Sequence, residues 1–211
     1  MRKLNKTDIT NELDKYQVTH KDIETQIVNY SLNFLNTLNK RVEWGMSFPI
    51  FVPPFYDYLT RNNGTVPQQE EYWNAYFDCN SKWFNEKRLS DDLIHGLKAR
   101  IYRTYPSLIR DIHFAKYLQT TLTDIAVIYD MHLDIQEGID LLLVKNGAYH
   151  AINLYTDTRR AYIGRQKKTF RHKNYSNVNY IELPVSFQGS KKVGDFFLYG
   201  ERELRKISNT I

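Results

Sequence analysis

The strongest chemical signal in the sequence is a run of cations with no acid among them. The cations fall within fifteen residues: Arg159, Arg160, Arg165, Lys167, Lys168, Arg171 and Lys173. A helix over 159–172, capped within Thr156-Asp157-Thr158, would direct Tyr162 and Phe170 inward and much of the charge outward. Such a face suits phosphate contacts, through counterion release and bidentate arginine geometry. The alternative is a solvated helix face whose acidic partners come from elsewhere in the fold.

Other kinds of site find little support in the residue types. The six histidines show no HExxH or other paired ligand spacing, so we interpret His113 and His150 as core or hydrogen-bonding residues. The single cysteine, Cys79, excludes an internal disulfide and any site built from several cysteines. A P-loop, a Rossmann glycine triplet and a G-x-S-x-G elbow are all missing from the sequence.

Short apolar runs replace helical periodicity after residue 120 and predict strands. Lys145-Asn146-Gly147 is a tight-turn signal between two of them. The predicted strands are 124–130, 139–144, 149–156 and 177–185, with a fifth at 195–199 and a short charged helix over 201–207. We expect the first four strands to share one sheet.

The first 120 residues favour helices instead. Ser90 with Asp91 and Asp92 predicts a capped helix that runs to Arg103, and Pro106 suits the first turn of another that runs to Gln119. Further helices are predicted over 20–40 and 68–87. The proline-rich stretch 47–59 is expected to be extended and irregular, and Asn62-Asn63-Gly64 predicts a turn.

The order helix, three strands, helix, strand over about residues 106–185 resembles the core of the PD-(D/E)xK nucleases, the restriction-endonuclease-like superfamily. The family carries an Asp near the start of its second core strand, and a Glu or Asp and a Lys two residues apart on the third. Gly138-Ile139-Asp140, followed by the run Leu141–Val144, matches the second strand. By this resemblance Asp140 binds Mg²⁺ or Mn²⁺, and the metal with the lysine positions a water and stabilises charge at the scissile phosphate.

The third strand departs from the family pattern. Asn153 and Tyr155 occupy the positions of the carboxylate and the lysine. Asn153 can offer only a neutral carbonyl to a metal, and Tyr155 cannot replace an ammonium. The resemblance then implies that Glu137 adds the second carboxylate and that Lys167, or an arginine of the basic run, replaces the lysine. Asp140 can equally cap a turn or pair with an arginine, and Glu137 can equally be a solvated loop residue.

These observations predict an α/β fold: an αβββαβ core with a mixed sheet in residues 105–211, and a helical, aromatic-rich N-terminal region in residues 1–104. The resemblance implies a DNA-binding protein and a Mg²⁺-dependent endonuclease of a mobile-element, phage-defence or restriction system. The alternative is an inactive, nuclease-derived module that binds DNA or protein. A third reading is a subunit whose aromatic N-terminal region docks a protein partner.

The composition is typical of a folded protein and bears on where the protein is expected to be found and what it is expected to bind. The chain of 211 residues has 42% hydrophobic and 14% aromatic residues, a net charge of +5 and a pI near 9.1. No apolar run reaches the roughly 20 residues of a membrane helix, and the first residues lack the apolar centre of a signal peptide. We therefore expect a cytoplasmic protein with an acidic partner and no membrane contact.

Overall fold

The computed structural model describes residues 2–157 and 175–211. The helices of these residues are α1 (His20–Ile27), α2 (Val52–Arg61), α3 (Gln69–Cys79), α4 (Ser81–Lys87), α5 (Asp91–Thr121) and α6 (Glu201–Ser208). The strands are β1 (Ala126–Ile128), β2 (Leu141–Lys145), β3 (Ala148–Thr156), β4 (Val178–Val185), β5 (Lys191–Val193) and β6 (Phe196–Leu198). Within the same ranges, no helix is both long and apolar enough to cross a membrane.

A mixed four-stranded sheet is the centre of the second half of the chain. Its order is β1-β2-β3-β4, with β1, β2 and β3 antiparallel in sequence and β4 parallel to β3. Asn146 and Gly147 have φ angles of 50° and 79°, the left-handed pair that a tight β2–β3 hairpin requires. The four predicted core strands therefore share one sheet, and the α/β class is confirmed. The predicted fifth strand, β6, pairs instead with β5 in a separate hairpin.

The two faces of the sheet differ in what covers them. Side chains alternate between faces along each strand, and paired residues point to the same side. The inner face joins the main hydrophobic core, which also contains Ile109 and Ile112 of α5, through Leu141, Leu143, Ile152 and Leu183. The outer face carries Leu142, Ala151 and Val178, which form a smaller cluster with Leu4 and Leu133.

The predicted pair of helices over 90–103 and 106–119 is wrong, because both belong to the single helix α5. Pro106 lies inside α5 and cannot donate a hydrogen bond to the carbonyl of Tyr102, four residues earlier. Gln69 Nε2 from α3 donates to that carbonyl instead, at 3.1 Å. A side chain from another element thus supplies the donor that the proline removes.

Two other predictions for the first half of the chain are wrong. The stretch 47–59 is not extended throughout, because Val52 begins α2 and places Pro53 and Pro54 in its first turn, where no backbone donor is needed. The helix predicted over 20–40 ends at Ile27. Beyond it, backbone groups bond to distant side chains: Leu32 N–H to Asp195 Oδ2 and Asn33 N–H to Gln69 Oε1.

Several local predictions are confirmed. Residues 62–64 form a turn, and the region 68–87 is helical apart from a break at Asn80 that separates α3 from α4. The short C-terminal helix is α6. The basic helix predicted over 159–172 lies outside the described residues.

Candidate functional site

Asp140 lies at the start of β2, and its carboxylate reaches the neighbouring strand. Its Oδ2 accepts a hydrogen bond from the backbone N–H of Leu154 on β3, at 2.5 Å. The pairing of β2 with β3 ends at Leu141 opposite Ile152, so the Asp140 carboxylate takes the place of a backbone carbonyl for Leu154. One of the two carboxylate oxygens therefore caps the edge of the strand pair.

Asn153 lies on β3, directly before the Leu154 whose N–H bonds to Asp140. It stands one position beyond the last β2–β3 pair, and it is 4% exposed. Its Nδ2 donates to Glu182 Oε1 at 2.9 Å. Its Oδ1 is buried and has no hydrogen-bond partner among residues 2–157 and 175–211. An unpaired buried acceptor costs free energy, roughly 1–3 kcal/mol, so this oxygen is the most unusual polar atom of the sheet.

Glu182 is the residue of this region that the sequence did not single out. The parallel β3–β4 register pairs it with Asn153, so it shares the outer face with Asn153. We call Asp140, Asn153 and Glu182 the outer-face row. An isolated acid within a strand is ordinary for a solvent-facing position, so only the register of a parallel pair, set by tertiary structure, reveals its neighbour.

The remaining predicted residues of the third strand and of the basic run divide into two groups. Tyr155 follows Asn153 by two residues, faces the same side and is paired with Pro184. The register places Asn153 and Tyr155 on the same face of β3, and their juxtaposition with Asp140, which precedes β2, remains a prediction. The predicted phosphate-binding residues lie outside the described part of the chain. They are Arg159, Arg160, Arg165, Lys167, Lys168 and Arg171. Lys167 is also the predicted replacement for the family's lysine.

Glu137 lies in a different environment from the outer-face row. Its side chain is 1% exposed, and its Oε1 is 3.7 Å from Arg2 Nη1 and 4.0 Å from His132 Nε2. Its charge also contributes to raising the pKa of Tyr175, after the larger effect of burial. Glu137 is therefore a buried acid with Arg2 and His132 close by, and its role as a metal ligand remains a prediction.

A second acid that the sequence did not single out, Asp111, lies on α5. Burial raises the pKa of Asp111 to about 7, and the charge of Asp134 adds to the increase while Arg110 opposes it. Burial also raises the pKa of Tyr199, with further contributions from Asp111 and Asp140. Tyr199 is thus within electrostatic range of both carboxylates. In the sequence Asp111 is one polar position in an amphipathic helix, which carries no such signal.

A cavity of about 690 Å³ lies apart from the outer-face row, around His113. His113 is 1% exposed and bonds through Nε2 to Glu24 Oε1 at 2.8 Å, which confirms its interpretation as a hydrogen-bonding core residue. Lys191 Nζ also contacts Glu24, at 2.6 Å. The partly exposed acid of this cavity, Glu24, therefore already has hydrogen-bonding and cationic partners.

A metal site made of histidine, cysteine and acidic side chains alone is not preformed. Across residues 2–157 and 175–211, no three such residues are grouped so as to hold an ion. The outer-face row contains two carboxylates and one amide oxygen.

Comparisons of the chain with protein-family models, with characterised proteins and with solved structures find no match.

Proposed function

We propose that this protein binds DNA and cleaves phosphodiester bonds with Mg²⁺ or Mn²⁺, in the manner of the PD-(D/E)xK nucleases it resembles. The observation that carries the proposal is the placement of Asp140 at the start of β2, where its carboxylate accepts a hydrogen bond from Leu154 N–H, the residue that follows the buried Asn153 on β3. The order of α5, three antiparallel strands and a parallel fourth strand supports it. A restriction, phage-defence or mobile-element system is the proposed setting, by fold analogy.

The residues present fit a hard cation, because Asp140 brings an anionic oxygen and Asn153 a neutral one. When bound, the cation would activate a water and stabilise charge at the scissile phosphate. The N–H of Leu154 orients the Asp140 carboxylate. Tyr155 lines the same end of the sheet, and the basic run 159–173 is the proposed phosphate-binding segment.

The test is cleavage of a supercoiled plasmid by the wild type and Asp140→Asn, in Mg²⁺ and in Mn²⁺. Asparagine keeps an acceptor for Leu154 N–H but removes the charge, so we expect the variant to lose at least roughly 100-fold in rate, as for lost transition-state stabilisation of about 3 kcal/mol. Asp124→Asn, an exposed acid just before the sheet, is the matched control. Cleavage that survives Asp140→Asn would show that the site lies elsewhere.

A second candidate is a nuclease-derived module that has lost cleavage. Asn153 and Tyr155, in place of a carboxylate and a lysine, favour it. DNA binding without cleavage in either metal would select this candidate. A protein partner at the aromatic N-terminal region is a third proposal, supported by the exposure of Phe34, Leu38 and Trp44, at 52%, 70% and 71%.

A further inference from the structure

Two exposed phenylalanines lie side by side at the hairpin of β5 and β6. Phe187 belongs to the loop before β5 and Phe197 to β6, and they are 37% and 39% exposed. Their ring centroids are 5.5 Å apart, with 33° between the ring planes. We call Phe187 and Phe197 the aromatic pair. Single exposed apolar side chains are ordinary, whereas two rings in contact form a small apolar platform on the surface.

Hydrogen bonds fix the loop that carries Phe187. The guanidinium of Arg202, on α6, donates to the carbonyls of Ser186 and Gln188, at 2.6 and 2.8 Å. Gly189 has a φ of 74°, in the left-handed region that favours glycine. Phe187 is therefore presented by a preorganised turn, so a ligand that stacks on its ring pays little for ordering the loop.

A cation adjoins each ring of the aromatic pair. In the β5–β6 register Lys192 pairs with Phe197, so the two share one side of the hairpin, while Phe196 on the other side is buried in the core. Lys192 Nζ is 5.8 Å from the centre of the Phe197 ring. The guanidinium of Arg110 is 4.7 Å from the centre of the Phe187 ring. Both distances are within the range of a cation–π contact.

Arg110 is a buried cation whose bonding is incomplete. It is 7% exposed, and its Nη1 donates to the Phe197 carbonyl at 3.5 Å. Its Nε has no hydrogen-bond partner and its guanidinium has no ion pair within residues 2–157 and 175–211. Salt screens a buried charge less than an exposed one, so Arg110 attracts anionic groups to the surface beside the aromatic pair.

The loop of Phe187 leaves the sheet at the same end as the basic run 159–173. Asp157 is the last described residue before that run, and its backbone N–H donates to the carbonyl of Val185, the last residue of β4, at 2.8 Å. Phe187 follows Val185 by two residues, a Cα separation of at most about 7.6 Å. The aromatic pair therefore lies close to the point where the chain enters the segment proposed to contact phosphates.

Exposed rings with cations beside them match the chemistry of a single nucleic-acid strand. Unpaired bases stack on aromatic side chains whatever their sequence, because every base has a π-face, and nearby cations contact the phosphates. A duplex cannot use the rings in this way, since its bases are already stacked on one another. An apolar protein partner would use the rings but would gain nothing from the cations.

We infer that the aromatic pair binds unpaired bases of single-stranded DNA, with Lys192 and Arg110 attracting the phosphates of the same strand. The inference rests on the proposed DNA binding, to which it adds a single-stranded component. It does not depend on a metal ion or on cleavage.

The experiment follows the fluorescence anisotropy of three labelled probes with the full-length protein: oligo(dT), an abasic oligonucleotide and a duplex, all of one length. We expect the double variant Phe187→Ala, Phe197→Ala to bind oligo(dT) roughly tenfold more weakly or worse, because it no longer stacks bases. Its affinity for the abasic strand and for the duplex should not change. Phe34→Ala, a phenylalanine that is 52% exposed in the first half of the chain, is the matched control.

Further variants separate stacking from charge. Lys192→Gln should weaken binding of oligo(dT) and of the abasic strand alike, and lower the slope of log affinity against log salt by roughly 0.7 for one lost phosphate contact. The double variant Phe187→Tyr, Phe197→Tyr keeps both rings and should bind oligo(dT) as the wild type does. Circular dichroism and thermal melting check the fold. If the alanine variant fails to fold, Phe197→Leu, which keeps apolar volume without a ring, decides the result.

The outcomes separate this inference from the proposed cleavage. Equal oligo(dT) affinity in the wild type and the alanine variant, or no oligo(dT) binding by the wild type, overturns the inference even if the plasmid is cut. Equal weakening of oligo(dT) and of the abasic strand also overturns it, since bases would then play no part. Oligo(U) bound tenfold more tightly than oligo(dT) would overturn the assignment to DNA.

A loss of affinity confined to oligo(dT) supports the inference, even if no plasmid is cut. In that case it is the proposed cleavage that fails, and the aromatic pair remains a site for single-stranded DNA.

Discussion

At the scale of single residues, the informative side chains are those whose surroundings do not match their chemistry. Asp140 uses one oxygen to cap Leu154, and Asn153 has a buried oxygen without a hydrogen-bond partner in the described part of the chain. Asp111 is an acid that burial makes hard to ionise. Natural proteins most often retain residues that destabilise the folded state where function requires them, so these positions are the ones to mutate first.

The pKa of Asp111 predicts a specific pH dependence of stability. In the folded protein this pKa is about 7, above the 3.8 of a free aspartate, so the folded state binds a proton that the unfolded state has released. The stabilisation is full below pH 3.8 and is lost as the pH rises through about 7. Asp111→Asn removes this dependence. At pH 8 it should raise the free energy of unfolding by on the order of 2 kcal/mol, a figure reduced because the Asp111 side chain is partly exposed.

Urea unfolding of Asp111→Asn and the wild type at pH 5 and pH 8 measures the effect. The exposed acid Asp78 on α3, changed to asparagine, is the control and should shift stability equally at both pH values. A wild type that is no less stable than Asp111→Asn at pH 8 would contradict the prediction.

At the scale of elements, α5 shows how a proline can lie inside a long helix. The carbonyl that Pro106 leaves without its helical donor accepts a hydrogen bond from Gln69, which also bonds to Asn33. Gln69 is 6% exposed, so these groups have little access to water. The helix therefore depends on a side chain thirty-seven positions away in the sequence.

We predict that Gln69→Leu lowers the free energy of unfolding by about 2–3 kcal/mol, because it leaves buried backbone groups without partners. In a Pro106→Ala background residue 106 regains an N–H for the Tyr102 carbonyl, so the same change should cost about 1 kcal/mol less. A double-mutant cycle by urea unfolding measures this coupling. Equal costs of Gln69→Leu in both backgrounds would show that Gln69 does not compensate for Pro106.

At the scale of the whole molecule, one hydrophobic core connects the helical first half to the sheet. Its fully buried members include Ile23, Phe55 and Tyr72 from the first half and Leu143 and Phe196 from the second. Helix α5 also runs through residues 104 and 105 without a break. The division of the chain at residue 104 remains a prediction, and the shared core indicates how to test it.

We predict that residues 105–211, expressed alone, will not unfold cooperatively, because they lose the first-half side chains that bury their core. A fragment of residues 89–211 keeps α5 whole, and we expect that it will not unfold cooperatively either. That result would show that the cut through α5 is not the reason why residues 105–211 fail to fold alone. Thermal melting followed by circular dichroism compares both with the full chain. A cooperative transition in either fragment would establish an independent α/β domain.

The basic run 159–173 predicts how the proposed DNA binding should depend on salt. Neutralising Arg160, Arg165 and Lys168 together should weaken duplex binding and flatten the plot of log affinity against log salt, by roughly 0.9 for each lost phosphate contact. Neutralising the exposed Lys40, Lys82 and Lys87 changes the net charge equally and should leave the slope nearly unchanged. Equal slopes in the wild type and the first triple variant would rule out the basic run as a DNA contact.

The sequence by itself determined the elements whose signals are local. The apolar runs before and after Asn146-Gly147 specify strands, because that pair adopts the left-handed turn whatever surrounds it. The cap at Ser90 and the position of Asp140 at a strand start are equally local. The course of α5 through Pro106 and the early end of α1 were not predictable in this way, since each depends on hydrogen bonds to residues distant in the chain.

Sequence and tertiary structure contributed different residues to the candidate site. The resemblance to the nucleases singled out Asp140, Asn153 and Tyr155, which one short hairpin connects. Glu182 joins them only through the parallel pairing of β3 with β4, which no local turn specifies. The burial that raises the pKa of Asp111 likewise arises from packing between α5 and the rest of the core. Short-range geometry is encoded in neighbouring residues, whereas parallel register and desolvation are properties of the assembled fold.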